Sequence, residues 1–171
     1  MIAIKNILVA TDFGPASDTA LTYGRALAEL SGAKLHLLHV VQSAYFTAPA
    51  YDGAGISPTV QLEIETTARK QTEATLTEDE RRTQRAIPVT LTSTSPPAAI
   101  VEYAKEHDID LLVLGTHGRA PFSHLLMGSV AERVVRTAPC PVLTVHHPEH
   151  EFVRQEALVA VADTAVAHGA R

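Results

Sequence analysis

Short apolar runs alternate along the chain with longer stretches in which apolar residues recur at helical spacing. The first run, residues 4–10, is rich in branched side chains and predicts a buried strand. A helix is predicted next, with Gly32 as its C-terminal stop and apolar positions at Ala20, Tyr23, Leu27 and Leu30. Residues 35–41 predict the second strand.

The second half of the chain repeats this alternation. Residues 59–86 are polar and helix-favouring, with apolar positions at Val60, Leu62, Ile64, Ala68 and Leu76, and their charge run at 78–85 is typical of a solvated helix face. Further strands are predicted at 89–94, 111–114 and 142–145, and further helices at about 95–107 and 129–137. Strands that alternate with helices predict an α/β fold with a parallel sheet covered on both faces.

Composition narrows the class of protein. A chain of 171 residues with 46% hydrophobic residues suits one globular domain. A net charge of −5 argues against general binding to nucleic acid or anionic membranes. The single cysteine, Cys140, excludes an internal disulfide and is expected to be a buried small apolar residue. The N-terminus lacks a basic leader with a cleavage site, so we expect a soluble, cytoplasmic protein.

A glycine-containing segment lies between the predicted strand at 111–114 and the helix that follows. Gly115 and Gly118 are separated by two residues, and nine residues later Gly128-Ser129 opens the helix. Glycines let backbone N–H groups converge on an anion, and a helix N-terminus adds unpaired donors and a favourable dipole. The segment therefore predicts a phosphate cradle and, with it, nucleotide binding.

Asp12 stands at the end of the first predicted strand. In open parallel sheets, ligands bind at the carboxyl ends of the strands where the strand order reverses. If the strands ending at Asp12 and Gly115 are neighbours, both residues face one crevice. Simpler roles also fit these residues: Asp12 as a turn acid, Arg119 as a solvated cation, and Ser129 with Glu132 as a capping box.

Three separated segments carry a resemblance to a known family: residues 7–12, 110–119 and 126–142. In their order and spacing, the chain resembles the universal stress protein family, from about residue 2 to 146. The resemblance implies a domain at 1–147 with a five-stranded parallel sheet in the order 3-2-1-4-5, helices on both faces, and dimers formed through the last strand. Members with the full glycine motif bind adenine nucleotides, and every element of that motif is present here.

The resemblance also implies roles for individual residues. Asp12, with Thr11 beside it, is expected near the ribose and adenine, and the backbone of Val40 or Val41 is expected to contact adenine. The phosphates are expected at Gly115, Gly118, Gly128 and Ser129. The same loop and helix start are lined by Thr116, His117, Arg119 and Val130.

The function expected from this resemblance is that of a regulatory homodimer that binds ATP with Mg²⁺, or else AMP or cyclic AMP, and acts on an unknown protein partner. A slow ATPase or a nucleotide-dependent transferase is one alternative, and a nucleotide-free dimerisation module is another. The sequence lacks a P-loop Gly-Lys-Ser/Thr, and His117 and His124 have no identifiable partner, so no catalytic residue is predicted.

Three parts of the chain stand apart from this site. Residues 43–58 form a long irregular stretch, which is typical of a lid or binding loop. His146, His147 and His150 resemble a metal cluster, but adjacent histidines on an extended strand point to opposite faces, so no metal site is predicted. Residues 148–171 predict a helical extension that packs on the domain or on a second subunit.

Overall fold

Five parallel strands form one sheet in the computed structural model, which describes residues 3–43, 57–83, 85–116 and 127–146. The sheet order is β3-β2-β1-β4-β5, so the predicted order is confirmed. The strands are β1 (Asn6–Thr11), β2 (Lys34–Gln42), β3 (Ala86–Ser93), β4 (Leu111–Gly115) and β5 (Val142–Val145). The chain therefore crosses from one half of the sheet to the other between β3 and β4, and β1 is central.

Within the described residues, five helices connect the strands and cover both faces of the sheet. They are α1 (Pro15–Ser31), α2 (Pro58–Thr75), α3 (Glu78–Arg82), α4 (Pro96–Glu106) and α5 (Ser129–Thr137). None of these helices is long and apolar enough to cross a membrane. The long stretch at 44–56 and the tail from residue 147 lie outside the described residues, so the expected lid and helical extension stay predictions.

Alternation along the strands divides the core into two layers. Ile7, Val9 and Leu37 pack on the face covered by α1, whereas Leu8, Leu38 and Leu112 pack on the face covered by α4 and α5. All six side chains are at most 1% exposed. Because successive residues of a strand point to opposite faces, these continuous apolar runs fill both layers at once. Cys140 is half-buried and packs against the second layer.

The stretch at residues 59–86, predicted to favour helix, forms two helices and the start of a strand. Residue 76 ends α2 in an extended conformation, and Thr77 starts α3 with a capping box in which Glu80 is the partner. Strand β3 then begins at Ala86, three residues earlier than expected. Strand β3 includes Pro88, because β3 is an edge strand, and an edge strand tolerates a proline that cannot donate to the ladder.

Several predicted core positions are exposed. Leu30 is 85% exposed, although Ala20 and Tyr23 on the same helix are buried as expected. On α2, Ala68 is buried, whereas Val60, Leu62 and Ile64 are each more than 40% exposed. Residues two apart in a helix point to nearly opposite sides, so Leu62 does not share a face with Val60 and Ile64.

Candidate functional site

The strand order reverses beside β1, which has β2 on one side and β4 on the other. Pairing of Ala10 with Leu114 brings Thr11 and Asp12 level with Gly115 and Thr116. The expectation that the strands ending at Asp12 and Gly115 are neighbours is therefore confirmed. Both strands end at the same edge of the sheet, and the crevice between them lies where open α/β sheets bind ligands.

The turn after β1 is held by side chains of the turn itself. The N–H of Gly14 donates to the Asp12 carboxylate at 3.1 Å, and the N–H of Phe13 donates to Oγ1 of Thr11 at 2.9 Å. Phe13 has a φ of 62°, which is rare for a bulky residue and lets the chain reverse directly into α1. One carboxylate oxygen of Asp12 is thus bound to the turn, which fixes where the group lies.

Ser17 connects this turn to the first turn of α1. Its hydroxyl accepts from the Thr11 hydroxyl at 3.1 Å and from the Gly14 N–H at 3.1 Å, and it donates to the Gly14 carbonyl at 2.9 Å. Thr11 and Ser17 are both buried. Each of these bonds pairs a donor with an acceptor, so the polar groups of this buried turn satisfy one another.

The end of β2 forms the other wall of the crevice. Lys34 donates its N–H to β1 and Leu35 donates its N–H to the β3 side, and backbone groups alternate in direction along a parallel strand. Val40, like Lys34, therefore directs its N–H and C=O toward β1, and it lies one residue beyond the last registered pair, Thr11 with His39. Val41 directs its backbone groups toward β3, where it pairs with Thr92.

Thr116 joins the two ends of the segment that runs from Gly115 to Gly128. Its N–H donates to the Val145 carbonyl at 2.7 Å, and its own carbonyl accepts from the Gly128 N–H at 2.6 Å. Its hydroxyl also lies 3.1 Å from Nδ1 of His146. The predicted residues His117, Gly118 and Arg119 lie outside the described residues, so their roles stay predictions.

The helix that follows this segment starts on a glycine. Gly128 is the N-cap of α5, and Ser129 and Val130 are its first two helical residues. The capping box predicted for Ser129 and Glu132 is wrong, because the helix begins one residue too early for Ser129 to be the cap. Glu132 instead pairs with Arg136 at 3.0 Å. The first-turn N–H groups thus receive no acceptor from the N-cap side chain.

Gly115 has a packing role that the motif alone does not indicate. A Cβ at this position would lie 2.8 Å from both the carbonyl carbon and the Cβ of Ala16. The end of β4 therefore approaches α1 so closely that only glycine fits. This contact brings the start of the glycine segment against the helix that follows Asp12, so the two halves of the crevice are joined by direct packing.

Other features of the described residues lie away from this crevice. An open groove at the amino ends of the strands is lined mainly by apolar groups: Ala3, Ile4, Lys5, Leu27, Leu30, Ser31 and Gly32. Near that end of the sheet, Asp110 accepts the N–H groups of Lys5 and Asn6, and these bonds lower the pKa of its carboxyl. Within the described part of the chain, no cluster of acidic, histidine and cysteine side chains could hold a metal ion.

The model of one protein family matches residues 3–146, and it is described as the universal stress protein family. The chain belongs to the universal stress protein family. The match covers every strand and helix described above, which confirms the resemblance seen in the sequence.

Individual relatives agree with this assignment. A universal stress protein of Thermus aquaticus is 32% identical and covers 82% of this chain and 98% of its own length. The structure of a universal stress protein from Lactobacillus plantarum has a TM-score of 0.64 at 27% identity, covering 85% of this chain and 99% of its own. A universal stress protein crystallised in complex with cAMP has a TM-score of 0.54 at 26% identity, covering 85% and 98%.

Sequence reasoning missed Ser17, Phe13 and His39 as members of the site. Ser17 stands three residues after a glycine that caps a helix, a position from which a serine can bond back to the cap. His39 lies in an apolar strand run, where a histidine has to find a polar partner. Its ring Nδ1 lies 2.8 Å from the Thr11 carbonyl. The partners of Ser17 are thus close in sequence, whereas His39 meets Thr11 only because β2 pairs with β1.

Proposed function

We propose that the protein binds an adenine nucleotide in the crevice between the carboxyl ends of β1, β2 and β4. ATP is the first candidate, with AMP and cyclic AMP as alternatives. The observation that carries the proposal is the register of β1 and β4, which brings Asp12 level with the start of the glycine segment. Asp12, assigned to the sugar, and the glycine segment, assigned to the phosphates, thereby share one crevice at the point where the strand order reverses.

The phosphates are assigned to the start of α5. A helix leaves its first N–H groups without intrahelical partners, and its dipole favours an anion there. Because the N-cap is Gly128, no N-cap side chain competes for these donors at Ser129 and Val130. The glycine at the cap also lets a phosphate approach the backbone closely. We also assign the phosphates to His117, Gly118 and Arg119, because these residues belong to the same glycine segment.

The nucleoside is assigned to the walls formed by β1 and β2. Val40 is favoured over Val41 for contacting adenine, because its backbone groups face the crevice side of β2 rather than β3. Asp12, whose carboxylate is held by the Gly14 N–H, is suited to accept hydrogen bonds from ribose hydroxyls. The same carboxylate is a hard oxygen ligand, so it can also contribute to Mg²⁺ that arrives with ATP.

Family membership and one structural relative support this ligand class. The universal stress protein crystallised in complex with cAMP has the same fold as this chain, over 85% of the length of this chain. A cyclic nucleotide and ATP have the adenosine part in common, and Asp12 and Val40 are the residues assigned to that part. ATP and a cyclic nucleotide differ in their phosphate groups. The preference for one or the other therefore rests on the residues assigned to the phosphates.

Binding without efficient turnover fits the polar groups of the crevice. The sequence has no P-loop lysine to stabilise a transferring phosphoryl group. Ser17, the hydroxyl beside the turn, is buried and hydrogen-bonded to Thr11 and Gly14 rather than to a base. We therefore propose a cytoplasmic regulatory role, exerted as a homodimer on a protein partner, in which occupancy of the crevice is the signal.

Native mass spectrometry of freshly purified protein, followed by calorimetric titration with ATP–Mg²⁺, AMP and cyclic AMP, tests the proposal. A co-purified or titrating adenine nucleotide is the expected result, with dimers in the same spectra. Gly118→Val should abolish binding while dimers persist, because its side chain occupies the space that the phosphate needs. Absence of binding by all three nucleotides would favour the dimerisation module, and phosphate release at a steady rate would favour the slow ATPase.

A further inference from the structure

The His39 ring connects the two strands that form the nucleoside side of the crevice. We propose that His39 is a positioning residue of the nucleotide site, which acts by holding the turn that presents Asp12. This inference rests on the nucleotide-binding function proposed above. His39 belongs to β2, whereas the group it binds, the Thr11 carbonyl, is the last carbonyl of β1. The bond lies at the level of the last registered pair between these strands.

The chemistry of this bond fixes which ring nitrogen carries a proton. A carbonyl oxygen only accepts hydrogen bonds, so Nδ1 of His39 must be the donor across the 2.8 Å separation. The bond is therefore present in the neutral Nδ1–H tautomer and also in the protonated ring. The carbonyl of Thr11 is directed toward β2, as that of Lys5 is, and there it meets the His39 ring.

Thr11, whose carbonyl is held by His39, is connected to Asp12 through the hydrogen bonds of the turn. Its hydroxyl accepts from the N–H of Phe13 and donates to Ser17, and Ser17 is bonded to both polar groups of the Gly14 backbone. The Gly14 N–H in turn holds a carboxylate oxygen of Asp12 at 3.1 Å. A chain of short polar contacts thus runs from the β2 side of the crevice to the carboxylate assigned to the nucleotide.

The His39 ring also packs against the least favourable residue of the turn. The Phe13 and His39 rings lie 4.4 Å apart between centroids and are tilted by 32°. Phe13 adopts a positive φ, a conformation that persists only where the surroundings support it. His39 therefore supports the turn in two ways, through a hydrogen bond to Thr11 and through ring packing on Phe13.

The two amide side chains make a matched test of the Nδ1 bond. The amide nitrogen of His39→Asn overlays Nδ1 and can still donate to the Thr11 carbonyl, whereas that of His39→Gln overlays Nε2. Calorimetric affinity for ATP–Mg²⁺ and the melting temperature without nucleotide are measured for both variants. We expect His39→Gln to weaken binding about tenfold and His39→Asn to stay within about threefold of the wild type, at closely similar melting temperatures.

A double-mutant cycle with Asp12→Ala separates positioning from a general structural effect. If His39 acts through Asp12, His39→Gln should cause little further loss once the carboxylate is absent. Equal losses in both backgrounds, or equal affinity of the two amide variants, would overturn the inference while leaving nucleotide binding intact. Absence of nucleotide binding by the wild type would overturn the proposed function and this inference together. Should His39→Gln not fold, His39→Leu replaces it in the same cycle.

Discussion

Nδ1 of His36, on β2, lies 2.8 Å from the hydroxyl of Tyr103, on α4, and both residues are buried. This bond is a buried polar link between the sheet and the helix layer on that face. The Tyr103 ring also stacks on His107 at 3.8 Å between centroids, and the His36 ring lies edge-on to both of these rings. Nε2 of His36 is buried and has no partner among the described residues. The histidine thus depends on one hydrogen bond for its compatibility with the core.

Tyr103→Phe removes that hydrogen bond while keeping the ring that packs over His36. We expect the free energy of unfolding to fall by about 1–3 kcal/mol, because a buried ring nitrogen is left unsatisfied. Urea unfolding of the wild type, Tyr103→Phe, His36→Leu and the double variant measures the coupling. The double variant should cost less than the sum of the single changes, and simple additivity would contradict the assigned bond.

The pH dependence of stability provides a second test of His36. Burial, and next the positive charges of His107 and Lys34, lower the pKa of His36 from 6.5 to about 4. Unfolded chains therefore bind a proton between these pH values that the folded protein does not, so stability falls as pH decreases from 6.5 toward 4, by at most about 1.4 kcal/mol per pH unit. His36→Leu should show a shallower decline in the same urea titrations. Parallel curves for the two proteins would rule out His36 as the source.

Gly24→Ala tests whether close packing outweighs helix propensity in α1. In an exposed helix, this change raises stability by about 1 kcal/mol. Here a Cβ would overlap Cγ2 of Val9, which is fully buried in β1. We therefore expect a net loss of about 1–3 kcal/mol, measured by thermal or urea unfolding. Val9→Ala in the Gly24→Ala background should recover part of the loss, and a raised melting temperature for Gly24→Ala alone would refute the packing argument.

Gly115→Ala should disturb the crevice through packing rather than through phosphate contact. The new Cβ would lie 2.8 Å from the backbone and the side chain of Ala16, so β4 and α1 must separate. A loss of about 1–3 kcal/mol in unfolding free energy is expected, together with weaker nucleotide binding. Ala16→Gly should restore only part of the stability, because the backbone carbon of residue 16 stays in place. Full restoration would mean that the side-chain contact alone matters.

The sequence predicted the order of elements and the residues that end strands well, because these signals are local. Gly32 has a φ of 67°, as a helix-stopping glycine should, and Asp12 and Gly115 both follow buried strands. The same local view failed at residues 76–86, where the charge run concealed a new helix start. Thr77 and Glu80 carry the spacing of a capping box, so that boundary was available in the sequence.

The contacts that hold the candidate site could not be predicted in the same way. Thr11 and His39 are 28 residues apart and meet only because β1 and β2 pair in one register. Gly115 reads as a phosphate-binding glycine in the motif, yet its lack of a side chain is also required by Ala16. The resemblance to a family supplied candidate residues, whereas the reason for the position of His39 depends on the tertiary structure.

Thr116 gives the protein a place where its ligand preference can change at little cost to the fold. Its carbonyl bond to the Gly128 N–H closes the chain between these residues, 117–127, into a hydrogen-bonded ring, and its N–H attaches that ring to Val145 of β5. Lengthening a loop whose ends are already joined costs only about 0.6 kcal/mol for each doubling. Insertions or exchanges within this ring would therefore leave the sheet register intact. If the nucleotide binds as proposed, evolution or a protein engineer can exchange the residues of this ring while β1 and β2 stay in place.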